Sequence, residues 1–406
     1  MHEARIEPEV VFVLHQKQPL TTDPAAVLPW PGCAVVLVTA PGAPAAVRED
    51  VAAAPAATIV ADPGDWGAAV QKAAAGRPFD VVTNDEYSLL ACARLREELG
   101  LPRRHPARLE RYLDKASTKR RLADSGLDVA RWTRLDRVEA DEGVARRLVE
   151  TLGLPLVVKP RQEANSRGVD VLRDLGEVLR WQAAREGAHG WLVEEYVEGM
   201  QCHVNAVVQD GRLRPVQVGR YLGPLLGLSQ GRRLGGVLLT PTDPLVERAN
   251  ALNERVVACL GDDGAFVVHT EFVVRPDGGL CVQEVAARAP GAMVSEAARV
   301  HTGLNLEEVN LALQLGVESG PLRPTGILAG WVWVPVMPGE RFTAAPVFAS
   351  GALVHVRAVA RQGNAGRTGM IGASVLVWNA DEAILAQDVQ RAVAWDWTAA
   401  GGAGDR

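Results

Sequence analysis

The chain has 406 residues, 48% of them hydrophobic, and a formal net charge of −6. That length suggests about two to four packed units, and an acidic balance with no basic stripe argues against a nucleic-acid surface. Its five cysteines, Cys33, Cys92, Cys202, Cys259 and Cys281, include no C-x-x-C pair, which argues against a disulfide framework or a structural zinc site. The N-terminal stretch lacks a signal-peptide pattern, and no window reaches the roughly 18 apolar residues of a membrane span. A cytoplasmic protein with no membrane or nucleic-acid partner is the expectation.

The first hundred residues alternate apolar, β-like runs at 10–14, 35–39, 58–61 and 79–83 with helical patterns. Residues 87–99 read as an amphipathic helix, with Asn84 or Asp85 as its cap and Gly100 as its stop. Alternation of this kind predicts a doubly wound parallel sheet. A second unit opens near residue 106, with helices at 113–125, 139–152 and 175–184 and strands at 131–134, 156–158 and 169–172. A third has strands at 191–194, 203–209 and 214–219, a helix at 245–259, a hairpin over 265–287 and helices to about 315. The remainder, 331–397, is β-rich and closes with a helix near 380–392. The fold class is α/β, with α+β character in the middle units. The chain divides into 1–105, 106–190, 191–325 and 326–406.

The hairpin carries the first chemical signal. Two β-like runs flank PDGG, and Asp-Gly is a strong two-residue turn signal because a type I′ turn needs positive φ at both central positions. With Asp277 and Gly278 at the centre, Pro276 faces Gly279 and Glu271 faces Glu284. Opposed carboxylates about 5 Å apart repel, and a hard divalent cation removes that repulsion. Arg288 continues the same face, so two acids and a guanidinium suit metal-bridged phosphate. The alternative is a solvated face of mixed charge.

Lys159 ends an apolar run just before Pro160, and a loop of small residues, RQEANSRG, follows at 161–168. A lysine at a strand end beside such a loop can reach phosphates while the loop covers them. Lys115 lies in the helix expected over 113–125. Glu194–Gly199 reads as a polar hinge whose backbone can bond an adenine edge.

Taken in order, LDKAS, LVVKP with ANSRGV, VEEYVEG, VVHTEFVV and VQEVAAR resemble the ATP-grasp superfamily over roughly residues 75–315. The segment DVVTNDEYSLLACARLREELGLP resembles the domain that precedes that fold. The resemblance implies a pre-ATP-grasp N-terminal domain, a two-part ATP-grasp fold and a small β-rich C-terminal unit. It implies that Lys115 and Lys159 contact ATP phosphates, with Ser166, Arg167 and Gly168 in the mobile loop above them. Glu194, Glu195 and Val197 would hold adenine, His203 the ribose, and Val273 would pack on the base. Glu271 and Glu284 would ligate Mg²⁺, for which Mn²⁺ can substitute, and Arg288 would stabilise the phosphorylated intermediate. Many relatives have Asn where Ala286 stands, and some an acid at Asn205. The pattern E-V-A-A-R looks closer to ligases that join amino acids.

The activity implied is an ATP-dependent carboxylate–amine ligase forming an amide or peptide bond through an acylphosphate, with ADP and phosphate released. Its substrates would be small carboxylates and amines, amino acids first, and a homodimer accords with the resemblance. Alternatives are a carboxylating or formyl-transferring enzyme and a non-catalytic nucleotide-binding regulator. Pocket candidates are Pro290, Gly291, Met293, Ser295 and Glu296. Trp331 and Trp333 read as core, and a glycine-rich loop around Arg367 is a candidate to reach the site.

Overall fold

The computed structural model describes residues 7–49, 51–101, 106–209, 211–261, 264–337, 339–357 and 370–400. The loop around Arg367 lies outside the described residues.

The N-terminal runs form the expected parallel sheet. Val10–His15, Ala34–Thr39, Ala57–Val60 and Phe79–Val82 pair in the order third, second, first, fourth. Val10, Phe12 and Leu14 pack one way against the helices Trp66–Ala74 and Leu89–Glu98; Val11 and Val13 pack the other way against Leu311 and Leu315. Burial on both faces explains the unbroken apolar runs. Asp85 is the cap, but of a single turn, Glu86–Ser88, that leads into Leu89–Glu98.

The helix expected over 113–125 is two helices. Pro106–Leu113 ends at Asp114, whose carboxylate accepts from the amides of Ala116 and Ser117 and starts Lys115–Asp124. Lys115 therefore stands at the first position of a helix that Asp114 aims.

A small antiparallel sheet follows, in the order Trp132–Arg137, His189–Glu195, Leu156–Pro160, Asp170–Leu172. Helices Glu142–Leu152 and Leu175–Ala184 cover one face through Leu148, Leu152, Val178 and Trp181. This sheet takes in the strand that runs past the division expected at 190.

The large sheet has eight strands, in the order Leu280–Ala286, Phe266–Val274, Met200–Gln209, Arg212–Leu222, Leu234–Leu238, Leu328–Val336, Met370–Asn379, Gly351–Val356. It runs unbroken across the division expected at 325. The strand Leu234–Leu238 was not anticipated, because its sequence, LGGVL, carries two glycines of low β-propensity. Packing explains them: a Cβ at Gly236 would stand 2.7 Å from the indole nitrogen of Trp331, whose ring occupies that space. Helix Pro244–Leu260 lies on one face of the sheet; Val294–Thr302 and Leu306–Gln314 lie on the other. Trp331 is core, 1% exposed, as expected; Trp333 is only half-buried. No helix among the described residues is long and apolar enough to cross a membrane.

Candidate active site

The hairpin pairing is as expected, but the turn is not. Glu271 faces Glu284, yet the amide of Arg275 bonds the carbonyl of Gly279 at 2.8 Å and that of Gly278 bonds Arg275 at 2.9 Å. The connection is a five-residue loop with Gly278 at φ +87°, not a two-residue turn. That offset would separate the two acids. A bulge at Gln283 restores it, since Phe272 pairs with Val282.

Both carboxylates open on a cavity of 440 Å³ between the small and large sheets. Of the expected site residues, Lys115, Lys159, Ser166, Arg167, Glu194, Glu195, Val197, Glu271 and Glu284 line it. The volume falls within the range of small-molecule and nucleotide sites.

Charge organises the cavity. Lys115 Nζ lies 3.2 Å from Glu284 Oε1 and donates to the carbonyl of Glu163 at 2.6 Å. Glu194, 2% exposed, sits between Lys159 Nζ at 3.0 Å and Lys119 Nζ at 3.2 Å. Burial pushes the Glu194 carboxyl upward, but the two ammonium groups outweigh it and hold it below the usual range. The same balance applies at Glu284, where burial is opposed by Lys115 and then Lys159, and the net direction is down. Glu271 Oε1 accepts from the Tyr221 hydroxyl at 2.7 Å and lies 3.4 Å from His269 Nε2.

Lys119, Tyr221 and Glu86 escaped the sequence reading. Lys119 follows Lys115 by four residues, so both lie on one helix face, a signal that was available. Nothing local marks Tyr221 or Glu86.

Four expected contacts stand elsewhere. His203 is 1% exposed and does not line the cavity, because the rings of Tyr221 and His269 pack over it at 5.2 and 5.6 Å. Asn205 bridges the two histidines, at 3.0 Å from His203 Nδ1 and 2.8 Å from His269 Nδ1. Val273 is also 1% exposed; Gly199 crosses over it so closely that a Cβ there would meet Val273 Cγ1 at 2.6 Å. Gly168 closes the base of the loop, with φ +70° and Pro160 Cγ 2.9 Å from where a Cβ would lie. Arg288 is 8% exposed and bonds Glu86 Oε2 through Nε at 2.8 Å and Nη2 at 2.5 Å. Glu195 lines the cavity, but its carboxylate is committed to Arg131, 2.6 Å from Nε. Among the later pocket candidates, Glu296 pairs with Arg48 at 2.9 Å, and Ser295 is 1% exposed beside the Pro290 carbonyl.

Gly199 and His203 each give a testable expectation. Gly199 has φ +144°, and an added Cβ would meet the Val274 carbonyl oxygen at 2.1 Å. Gly199→Ala should cost at least ~2 kcal/mol in urea unfolding; a cost near zero would show that this crossing can relax. For His203, burial first and then His269 hold the imidazole at about 3 against the ordinary 6.5, with Glu271 pulling the other way. Between those two values the unfolded chain binds a proton that the fold excludes. Stability therefore falls as pH drops below 6.5, by up to ~1.4 kcal/mol per pH unit for this group. Urea midpoints at pH 7 and pH 5 should fall less for His203→Gln than for the parent, and equal losses would count against a buried neutral ring.

Comparison with known proteins accords with this geometry. Residues 31–103 match the family model of the ATP-grasp N-terminal domain. The fold aligns with the L-amino acid ligase of Bacillus licheniformis at TM-score 0.69 and 18% identity, covering 95% of this chain and 97% of that one. The family match thus covers the N-terminal segment, and the rest of the chain shares the fold of these ligases. An N5-carboxyaminoimidazole ribonucleotide synthetase, solved as its ADP complex, shares the same ATP-grasp fold at TM-score 0.70 and 15% identity, covering 98% and 99% of the two chains. In sequence, 90 residues are 33% identical to the D-alanine–D-alanine ligase of Nitrosospira multiformis. That match covers 22% of this chain and spans 28% of the relative's length.

The acid pair fits a magnesium ion. Among the described residues no group of three or more His, Cys, Asp or Glu is placed to hold a metal. Mg²⁺ rarely needs such a cage; one or two carboxylates, phosphate oxygens and water suffice. Glu271 and Glu284 supply two hard oxygen donors on one cavity wall, beside Lys115 and Lys159.

Proposed function

We propose that the chain is an ATP- and Mg²⁺-dependent carboxylate–amine ligase that joins amino acids. The observation that carries this reading is the cavity that gathers Lys115 from a helix start, Lys159 from the small sheet, and Glu271 and Glu284 from the large sheet. The likeness to an L-amino acid ligase supports the substrate class.

In this reading the main chain from Glu194 to Val197 receives the adenine, and Lys115 and Lys159 receive the phosphates. Ser166 and Arg167, on the loop above, cover them. Glu271 and Glu284 would hold the Mg²⁺, which when bound neutralises phosphate charge. A substrate carboxylate oxygen attacks the γ-phosphorus and the bond to ADP breaks, leaving an acylphosphate. The amine nitrogen then attacks the acyl carbon. The carbon–oxygen bond to phosphate breaks, and the nitrogen loses its proton to solvent. Arg288, paired with Glu86 outside the cavity lining, would turn from that pair to stabilise the phosphoryl charge.

The test is ADP release from the purified protein with Mg-ATP against pools of amino acids, with product masses recorded. A product weighing the sum of two amino acids minus water supports the reading. AMP and pyrophosphate in place of ADP would refute the acylphosphate. The likeness to a carboxyaminoimidazole synthetase favours a second reading, in which bicarbonate is the carboxylate; ADP release that needs bicarbonate and one amine would select it.

A further inference from the structure

The loop at 161–168 reaches beyond its own sheet. The Tyr87 hydroxyl donates to Glu163 Oε2 at 2.7 Å and accepts from the amide of Ala164 at 3.3 Å. Lys17 Nζ lies 3.9 Å above the Tyr87 ring and 3.8 Å from Glu163 Oε1, and the Arg167 guanidinium lies 5.8 Å from the same ring. The Glu163 carbonyl accepts from Lys115 at 2.6 Å. Asn165 and Ser166 are held at φ +55° and +54°, in the left-handed region that side chains usually avoid. Contacts with the N-terminal domain therefore hold the loop in this shape.

Tyr87 and its neighbour Glu86 point at different partners. Glu86 binds Arg288, which follows the metal hairpin on the large sheet, while Tyr87 binds the loop of the small sheet. Both lie on one short turn that Asp85 fixes. Asp85 Oδ1 accepts from the Tyr87 amide at 3.1 Å, and Oδ2 accepts from the amides of Gln16 at 2.5 Å and Lys17 at 2.8 Å. A rigid turn with one contact to the loop of the small sheet and one to Arg288 beyond the hairpin of the large sheet can satisfy both only when the two sheets are correctly spaced.

We propose that Tyr87 is a positioning residue that latches the loop through Glu163, so that loop closure and the placement of Arg288 occur together. The consequence rests on the ligase reading: a latched loop keeps water from the acylphosphate until the amine attacks. A loose loop allows hydrolysis instead.

The experiment uses the full chain, with Tyr87→Phe and Glu163→Ala made singly and together. Tyr87→Phe removes the hydroxyl and keeps the ring. Glu163 is partly exposed, with 36% of its side-chain surface accessible, so its truncation leaves the core alone. Trypsin cleavage after Arg161 and Arg167 is followed with Mg²⁺ and a non-hydrolysable ATP analogue, and amide formed per ADP is measured under turnover. A hydrogen bond to a carboxylate lost from the closed state should speed cleavage about tenfold in either single variant. The double variant should add little. Amide per ADP should fall below that of the parent while KM for ATP changes less than about twofold, a split that a general loss of fold would not give. If Tyr87→Phe and Glu163→Ala leave both cleavage and amide per ADP at parental values, the latch is wrong. If no amino-acid pair yields amide in the parent, yet both variants speed cleavage and the double adds nothing, the latch stands and the ligase reading falls.

Discussion

Glu284→Gln is expected to lower ATP turnover by ~100-fold or more while leaving the protein folded. The substitution keeps the shape of the side chain, and its amide oxygen can still accept from Lys115, which also bonds the Glu163 carbonyl. What it removes is one of two opposed negative charges on the cavity wall. A divalent cation held by Glu271 and Glu284 would need those charges more than the shape. Turnover and thermal unfolding should be measured on the same preparation. Parental turnover would sink the proposed metal site, whatever the roles of Lys115 and Lys159.

The largest effect on stability is expected from Glu194→Gln. Lys119 is 2% exposed and Lys159 is 7% exposed, and Glu194 is the carboxylate that both approach within 3.2 Å. Neutralising it strands two ammonium groups in the interior. Breaking a buried ion pair by removing one partner costs about 3–5 kcal/mol, and two cations share this one. Adding Lys119→Met should return part of the loss, because it removes one stranded charge and keeps most of the volume. Urea unfolding of the single and double variants checks both statements. A loss under about 1 kcal/mol for Glu194→Gln would show that the charges are relieved in some other way.

What the sequence revealed was what short stretches encode. Apolar runs marked the parallel strands, and the opposed acids at 271 and 284 came from alternation along a hairpin. That pairing was reached through a wrong turn, and only the bulge at Gln283 made the two agree. Bulges leave no reliable trace in composition. Contacts between distant segments were invisible. Glu86 and Arg288 are 202 residues apart, and nothing near either announces the other. His203 shows a different limit. The resemblance implies a place at the ribose, and it pairs with Glu271 across the sheet, but the rings of Tyr221 and His269 cover it. The strand at Leu234–Leu238 was hidden for a related reason: its glycines reflect a tryptophan ring from another strand, not a local preference.

That fit between Gly236 and Trp331 has a consequence for how the C-terminal unit can be exchanged. The strand Leu234–Leu238 pairs on one side with Arg212–Leu222 and on the other with Leu328–Val336, so it becomes an open edge once the chain is cut near 325. Two glycines would then line a bare, weakly held border that invites pairing with other chains. A C-terminal unit grafted from a relative would need an aromatic ring of the same reach at the matching position. The unit at 326–406 is thus no cassette: its first strand and the glycines it covers must change in concert.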